Sequence, residues 1–166
     1  MPTSFGSRFA AQRAELLKRV SGIGFFRKLT NEERQQLLAH GVMRSLSDGE
    51  VIFEEGDRDE QEVCFVVSGN VNIQLEGFNG KGGDNTVATL DPGQVFGEMA
   101  IFDKQPRSAT ATAKGLTTIL EIDLKDMMEN RLDPPSSDLM VKIITHVTEE
   151  LCRKLRNVNK VLLHSV

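Results

Sequence analysis

Between residues 51 and 122 the chain is a succession of short apolar runs rich in β-branched residues, each ended by turn residues, and nothing else in the sequence limits the fold as strongly. The runs are 51–53, 63–67, 71–75, 86–90 and 117–122. Val71-Asn72-Ile73-Gln74-Leu75 alternates apolar and polar, as a strand with one buried face must. Ser47-Asp48-Gly49, Glu55-Gly56-Asp57, Ser68-Gly69-Asn70, Asp91-Pro92-Gly93 and a polar loop over 79–85 supply the turns. Strands and turns at this spacing predict a small antiparallel β-barrel or jelly roll.

Helical patterns flank the strands. Residues 7–20 place Phe9, Leu16, Leu17 and Val20 at helical spacing, and Ser21-Gly22-Ile23-Gly24 breaks the run. Thr30 with Glu33 fits a capping box for a helix that Gly41 can end. Asp123 can cap a short helix through Met128, which Asp133-Pro134-Pro135 stops. Ser136 or Ser137 then caps a long helix to about Leu163. Its apolar positions Met140, Ile144, Val147, Leu151, Leu155, Val158 and Leu162 step by threes and fours, close to a heptad seam. Two readings stay open: a helix packed on its own barrel, or one that also pairs with its copy in a homodimer. The expected fold is α+β, a small antiparallel barrel or jelly roll between N- and C-terminal helices. The expected parts are a helical extension (1–23), the β-roll with its entry helices (24–135) and the C-terminal amphipathic helix (136–166).

The 166 residues suit one domain and little more. The net charge of −4 is unevenly spread, and residues 51–100 hold two basic against ten acidic groups. So acidic a middle is poor material for gripping a phosphate backbone, which disfavours nucleic acid as a direct partner. No apolar run approaches the roughly 18 residues of a membrane span, and the first 20 residues lack a signal-peptide core. A cytoplasmic protein without a membrane partner is expected. Cys64 and Cys152 stand far apart, without metal or redox spacing, so no disulfide is expected. No histidine lies between residues 42 and 122, which disfavours a metalloenzyme on a cupin-like barrel. Neither a catalytic residue nor a metal is expected.

The chemistry concentrates in residues 96–110. Gly97 permits a tight turn at a strand end and close approach of a ligand. Glu98 to Phe102 can form one helical turn with free N–H groups. Arg107 follows across a loop stiffened by Pro106, and Ser108-Ala109-Thr110 re-enters a strand. Backbone donors and a guanidinium suit a phosphate, whereas a carboxylate in the same place suits sugar hydroxyls. Together they describe a nucleotide whose phosphate carries about one charge. The alternative is that Glu98 and Arg107 merely pair with each other on a loop.

This stretch resembles the phosphate-binding cassette of the cyclic nucleotide-binding domain family: Phe-Gly-Glu, Met, Ala, an apolar residue, a loop, then Arg, a small residue, Ala and Thr. Residues 49–57, 65–71 and 25–30 resemble that family's first strand and turn, next hairpin and helical entry. The resemblance implies that Glu98 bonds the ribose 2′-hydroxyl, that Arg107 pairs with the cyclic phosphate, and that backbone N–H groups around Gly97, Met99, Ala100 and Ala109 complete the cradle. Ile73 and Val87 are its base-pocket candidates. Ser108, after the arginine, occupies a position where members that prefer cGMP often carry a hydroxyl, yet some cAMP binders have serine there. One neutral hydrogen bond is worth ~0.5–1.5 kcal/mol, about tenfold in affinity at most, and cAMP is favoured over cGMP. The implied protein is a non-catalytic sensor with a protein effector not identifiable from sequence. Arg156, Asn159 and Lys160 are candidates for the lid over the base. A transcription regulator of this family would need a helix-turn-helix beyond the long helix, which these 166 residues do not contain. The alternatives are a regulator of that cAMP-receptor type truncated before its helix-turn-helix, and a domain that has lost its ligand and serves as a scaffold.

Overall fold

The computed structural model describes residues 15–58, 62–77, 84–130 and 133–163, with side chains to residue 160. Residues 15–21 are helical, and the rest of the expected 7–20 helix lies outside the described residues, as do most of the 79–85 loop and His164. A 3-10 turn follows at Gly24–Lys28, then α1 (Asn31–His40), whose capping box forms as expected. The Glu33 amide donates to Thr30 Oγ1 at 3.2 Å, and the Thr30 amide donates to Glu33 Oε2 at 2.7 Å. Gly41 ends α1 in an extended conformation because it opens the first strand, β1 (Gly41–Leu46).

The remaining strands are β2 (Val51–Phe53), β3 (Val63–Gln74), β4 (Thr86–Leu90), β5 (Val95–Phe96) and β6 (Thr110–Ile122). All pairings are antiparallel, in the order β1-β6-β3-β4, with β2 added on β6 and β5 on β3. The sheet does not close; it is jelly-roll-like, as the strand spacing allows. Segments 63–67 and 71–75, expected as two strands around a turn, belong as far as Gln74 to one long strand, with Gly69 in the left-handed region between them. The β3–β6 register shifts across Ser68 and Asn70, and the Thr117 hydroxyl donates to the Asn70 carbonyl at 2.9 Å. Gly69 sits at φ 74°, and a Cβ there would collide with the Leu116 carbonyl and lie 2.6 Å from Thr117 Oγ1. A turn triplet thus lies inside a strand, at a shift of register, rather than at a chain reversal.

Short α2 (Glu98–Asp103) interrupts the strands, and α3 (Leu124–Glu129) and α4 (Ser137–Leu163) follow them. Asp123 caps α3 through the Asp126 amide, and the Leu139 amide donates to Ser136 Oγ at the start of α4. Two cores result. Val63, Phe65, Val67, Leu120 and Ile122 pack under Phe25, Phe26, Leu37, Leu139, Ile143 and Val147 from the helical elements. Cys64, Val66, Val71, Phe96, Ala111 and Ile119 fill the inside of the roll. Burial pushes the Cys64 thiol well up, consistent with a small core residue rather than a reactive one.

The long helix departs from its expected stripe. Leu139, Ile143 and Val147 face the core, whereas Ile144, Leu155 and Val158 are exposed. The seven positions read as one face therefore span two. Gly69→Ala is expected to cost about 2–3 kcal/mol, since it adds a clash to left-handed strain. Gly49→Ala, at φ 77° but in open space, is expected to cost only about 1 kcal/mol. Thermal melts followed by circular dichroism measure the difference.

Candidate functional site

The open end of the roll holds a cavity of about 1040 Å³, walled by β3, β4, the α2 segment, the loop before β6 and the side of α4. The expected cassette and base-pocket residues line it: Gly97, Glu98, Met99, Ala100, Arg107, Ser108 and Ala109, with Ile73 and Val87 on the strand side. Val87 is partly exposed at the mouth, and Ile73 packs on the inner core. Ser108 Oγ lies 3.8 Å from Met99 Sδ.

Gly97 opens α2 at φ 76°, and no side chain caps the helix start, leaving its first amides without that competitor. A Cβ at Gly97 would lie 2.6 Å from Arg107 Nη1 and 2.9 Å from the Glu62 carbonyl oxygen, so a side chain here would displace the guanidinium. The Glu55-Gly56-Asp57 turn positions Arg107. The Arg107 amide donates to the Asp57 carbonyl, and the Gly56 amide donates to the Arg107 carbonyl, both at 2.8 Å.

Glu98 and Arg107 do not pair with each other. Arg107 is only 4 % exposed; its Nη1 donates to Gly97 O at 2.8 Å and Glu62 O at 3.2 Å, and its Nη2 lies 3.7 Å from Glu62 Oε2. Its guanidinium carbon stands 4.1 Å over the Phe53 ring. Its Nε is buried with no hydrogen-bond partner among the described residues. An unpaired buried donor costs about 1–3 kcal/mol, more on a charged group.

Glu98, 2 % exposed, is paired with a residue that sequence reasoning missed. Lys154 Nζ, from α4, donates to Glu98 Oε1 at 2.7 Å and to the Val95 carbonyl at 3.0 Å. Arg153, Asn157 and Val158 line the same wall, in place of the expected Arg156, Asn159 and Lys160. The signal was present in the helical period: the buried line Ile143–Val147, continued by turns, reaches Lys154 and Val158. The stripe as read from apolar residues alone could not include a lysine. The cavity's charged lining is thus Arg107, Arg153 and Lys154 against Asp91 and Glu98, a local cationic excess inside an acidic region. Arg153 also bonds Glu150 at 2.6 Å. No group of three His, Cys, Asp or Glu side chains placed to hold a metal occurs among the described residues. Nor is any described helix long and apolar enough to cross a membrane.

The cyclic nucleotide-binding domain family matches residues 43–130, just over half of the chain. The chain belongs to that family. Among curated proteins it is 33% identical over 109 residues to the cyclic AMP receptor protein of Thermus thermophilus, covering 66% of this chain and 49% of that one. It is 32% identical over 127 residues to the cAMP-dependent protein kinase regulatory subunit of Dictyostelium discoideum, covering 76% of this chain and 37% of that one. The chain therefore spans under half the length of either relative. Among solved structures, the Thermus thermophilus catabolite activator protein superposes with a TM-score of 0.65 at 29% identity, covering 83% of this chain and 61% of that one. A cyclic nucleotide-binding domain from Methylobacillus flagellatus gives a TM-score of 0.70 over 92% of this chain and 83% of that one, and at 23% identity it speaks for the fold.

Removing Lys154 would leave the buried Glu98 carboxylate without its ion-pair partner. Lys154→Met is expected to destabilise the ligand-free protein by about 1–3 kcal/mol. The same change in a Glu98→Gln background is expected to cost at least 1 kcal/mol less, as read by a double-mutant cycle of thermal melts.

Proposed function

We propose that this domain is a non-catalytic sensor that binds a cyclic nucleotide, cAMP in preference to cGMP, in the cavity beneath α4. The observation that carries it is Arg107, a nearly buried cation in the cavity wall with an unpaired Nε. A buried guanidinium with one N–H left unpaired calls for an anion with oxygens to spare. In this reading Arg107 and the backbone N–H groups of Gly97, Met99, Ala100 and Ala109 take the cyclic phosphate. Glu98 accepts from the ribose 2′-hydroxyl. Its second oxygen serves while Lys154 keeps the first, or Lys154 yields. Ser108 stands beside the base, Ile73 and Val87 form the base wall, and Asn157 and Val158 close over it. The names of the cAMP-related relatives support cAMP.

The output follows from the same contacts. Ligand shifts the population toward an ordered cassette, α4 moves against the roll, and a protein effector reads the movement. We assign the parts as 1–23, 24–135 and 136–166, acting in the cytoplasm without direct nucleic-acid or membrane contact. A homodimer through α4 is part of this reading. Val141, Ile144, Thr148, Leu151, Leu155 and Val158 recur at alternating steps of three and four, and four of them are exposed apolar side chains. That is the a/d spacing of a two-stranded coiled coil.

Saturating cAMP, at 100 times its dissociation constant, is expected to stabilise the protein by about 2.7 kcal/mol, raising its melting temperature by about 5 °C or more. Arg107→Ala is expected to abolish the shift, and cGMP to give a smaller one. With no tryptophan or tyrosine in the chain, a dye or circular dichroism must report the melt. No shift with either nucleotide would leave the scaffold reading. Leu155→Asp is expected to turn a dimer into a monomer in sedimentation, and a monomeric wild type would remove the homodimer.

A further inference from the structure

His146 is a buried titratable group that ligand binding does not use. It lies on the inner face of α4, 8 % exposed, with its ring stacked on Phe25 at a centroid distance of 4.6 Å and an interplanar angle of 10°. Phe65 of β3 lies beyond, at 6.4 Å and 15°. Its Nε2 is buried without a hydrogen-bond partner among the described residues. The ring is thus a joint where α4 meets three other elements: the 3-10 turn through Phe25, β3 through Phe65, and the Pro92-Gly93 turn through the Gly93 carbonyl. Two helical turns further along α4, Lys154 reaches Glu98 and Val95.

We propose that His146 makes the seating of α4 over the cavity dependent on pH: the neutral ring docks the helix, and the imidazolium releases it. An uncharged imidazole can lie flat on a phenyl ring and leave one nitrogen bare at modest cost. A protonated one would bury a charge whose second N–H has no acceptor. The charged groups that face the ring are Lys28 on the 3-10 turn and Glu149 and Glu150 on α4 itself. Burial, joined by Lys28, holds the imidazole below its usual value, against the opposing pull of Glu150, the Gly93 carbonyl and Glu149. Glu149 bonds Lys28 at 3.2 Å and Glu150 bonds Arg153 at 2.6 Å, so each carboxylate shares its charge with another cation.

The sign follows. A group whose docked pKa lies below its undocked value of about 6.5 stabilises docking fully above that value, and the contribution is lost as pH falls through it toward the docked pKa. Helix release therefore begins near pH 6.5 and grows on acidification. Because Lys154, Asn157 and Val158 ride on the same helix, release would uncover the cavity. This last step rests on the ligand-binding reading; the pH-dependent joint does not.

The test is hydrogen exchange of the ligand-free protein at pH 7.5 and 5.5, corrected for intrinsic rates. Protection of amides 143–154 is expected to fall several-fold, at most about tenfold for one proton over this range, while β3 and β6 keep theirs. His146→Phe, which keeps a flat ring but cannot titrate, is expected to hold its protection at both pH values. Unchanged protection in the wild type, or an equal loss in His146→Phe, overturns the proposal. If that variant does not fold, NMR titration of the wild-type ring decides: a midpoint below 6.5 supports the joint, and one at or above 6.5 overturns it. Calorimetry with cAMP separates the two readings. Binding several-fold weaker at pH 5.5 in the wild type alone supports the coupling, and equal binding at both overturns it. No binding at either pH, with protection still falling, removes the sensor and leaves the joint standing.

Discussion

Five consecutive side chains at the start of β3 are buried, and the arrangement of the whole molecule follows from that run. A strand turns alternate residues to opposite faces. Val63, Phe65 and Val67 therefore demand a cover on one side, and Cys64 and Val66 demand one on the other. The helices supply the first. The inside of the roll supplies the second, with β3 shifting its register on β6 about Gly69. The cavity borders that inner layer, between β3, β4, the α2 segment and α4.

Placing ionic groups at that end creates an electrostatic problem that the fold solves only in part. Glu98 is satisfied by a lysine brought from 56 residues away. Arg107 is held by carbonyls, a distant carboxylate and an aromatic face, with one nitrogen left over. Neither neutralises the other, although they share one short segment. Keeping them apart maintains an acceptor and a donor facing one space, where a direct pair would have cancelled both. The surrounding acidity of residues 51–100 sharpens this, since an anion there depends on the local cations and backbone donors to offset the nearby carboxylates.

What was legible in the sequence was local. The capping box at Thr30, the Asp123 cap, the turn at Asp57 and the short helix after Gly97 all rest on contacts within a few residues, and all form. The nine expected cavity residues assemble because the cassette is nearly contiguous and its two strand-side partners follow from family likeness. The errors lie where a distant element decides. Ser68-Gly69-Asn70 has the composition of a turn, yet pairing with β6 keeps it within a strand. The apolar stripe of α4 was drawn through two faces because periodicity cannot say which side the roll lies on. Lys154 was invisible for the same reason: its partner is named by the fold, not by its neighbours.

The length of α4 turns its attachment into a question of leverage. Its 27 residues make a rod of about 40 Å at 1.5 Å per residue. The apolar contacts lie in its first half, around Leu139, Ile143, His146 and Val147, while residues 152–160 are largely exposed apart from Lys154. A rod clamped near one end magnifies small rotations at the clamp. A tilt of roughly 10° about His146 would swing the far end, about 25 Å away, through about 4 Å. Displacements too small to disturb the core would thus emerge at the tip as motions the size of a side chain.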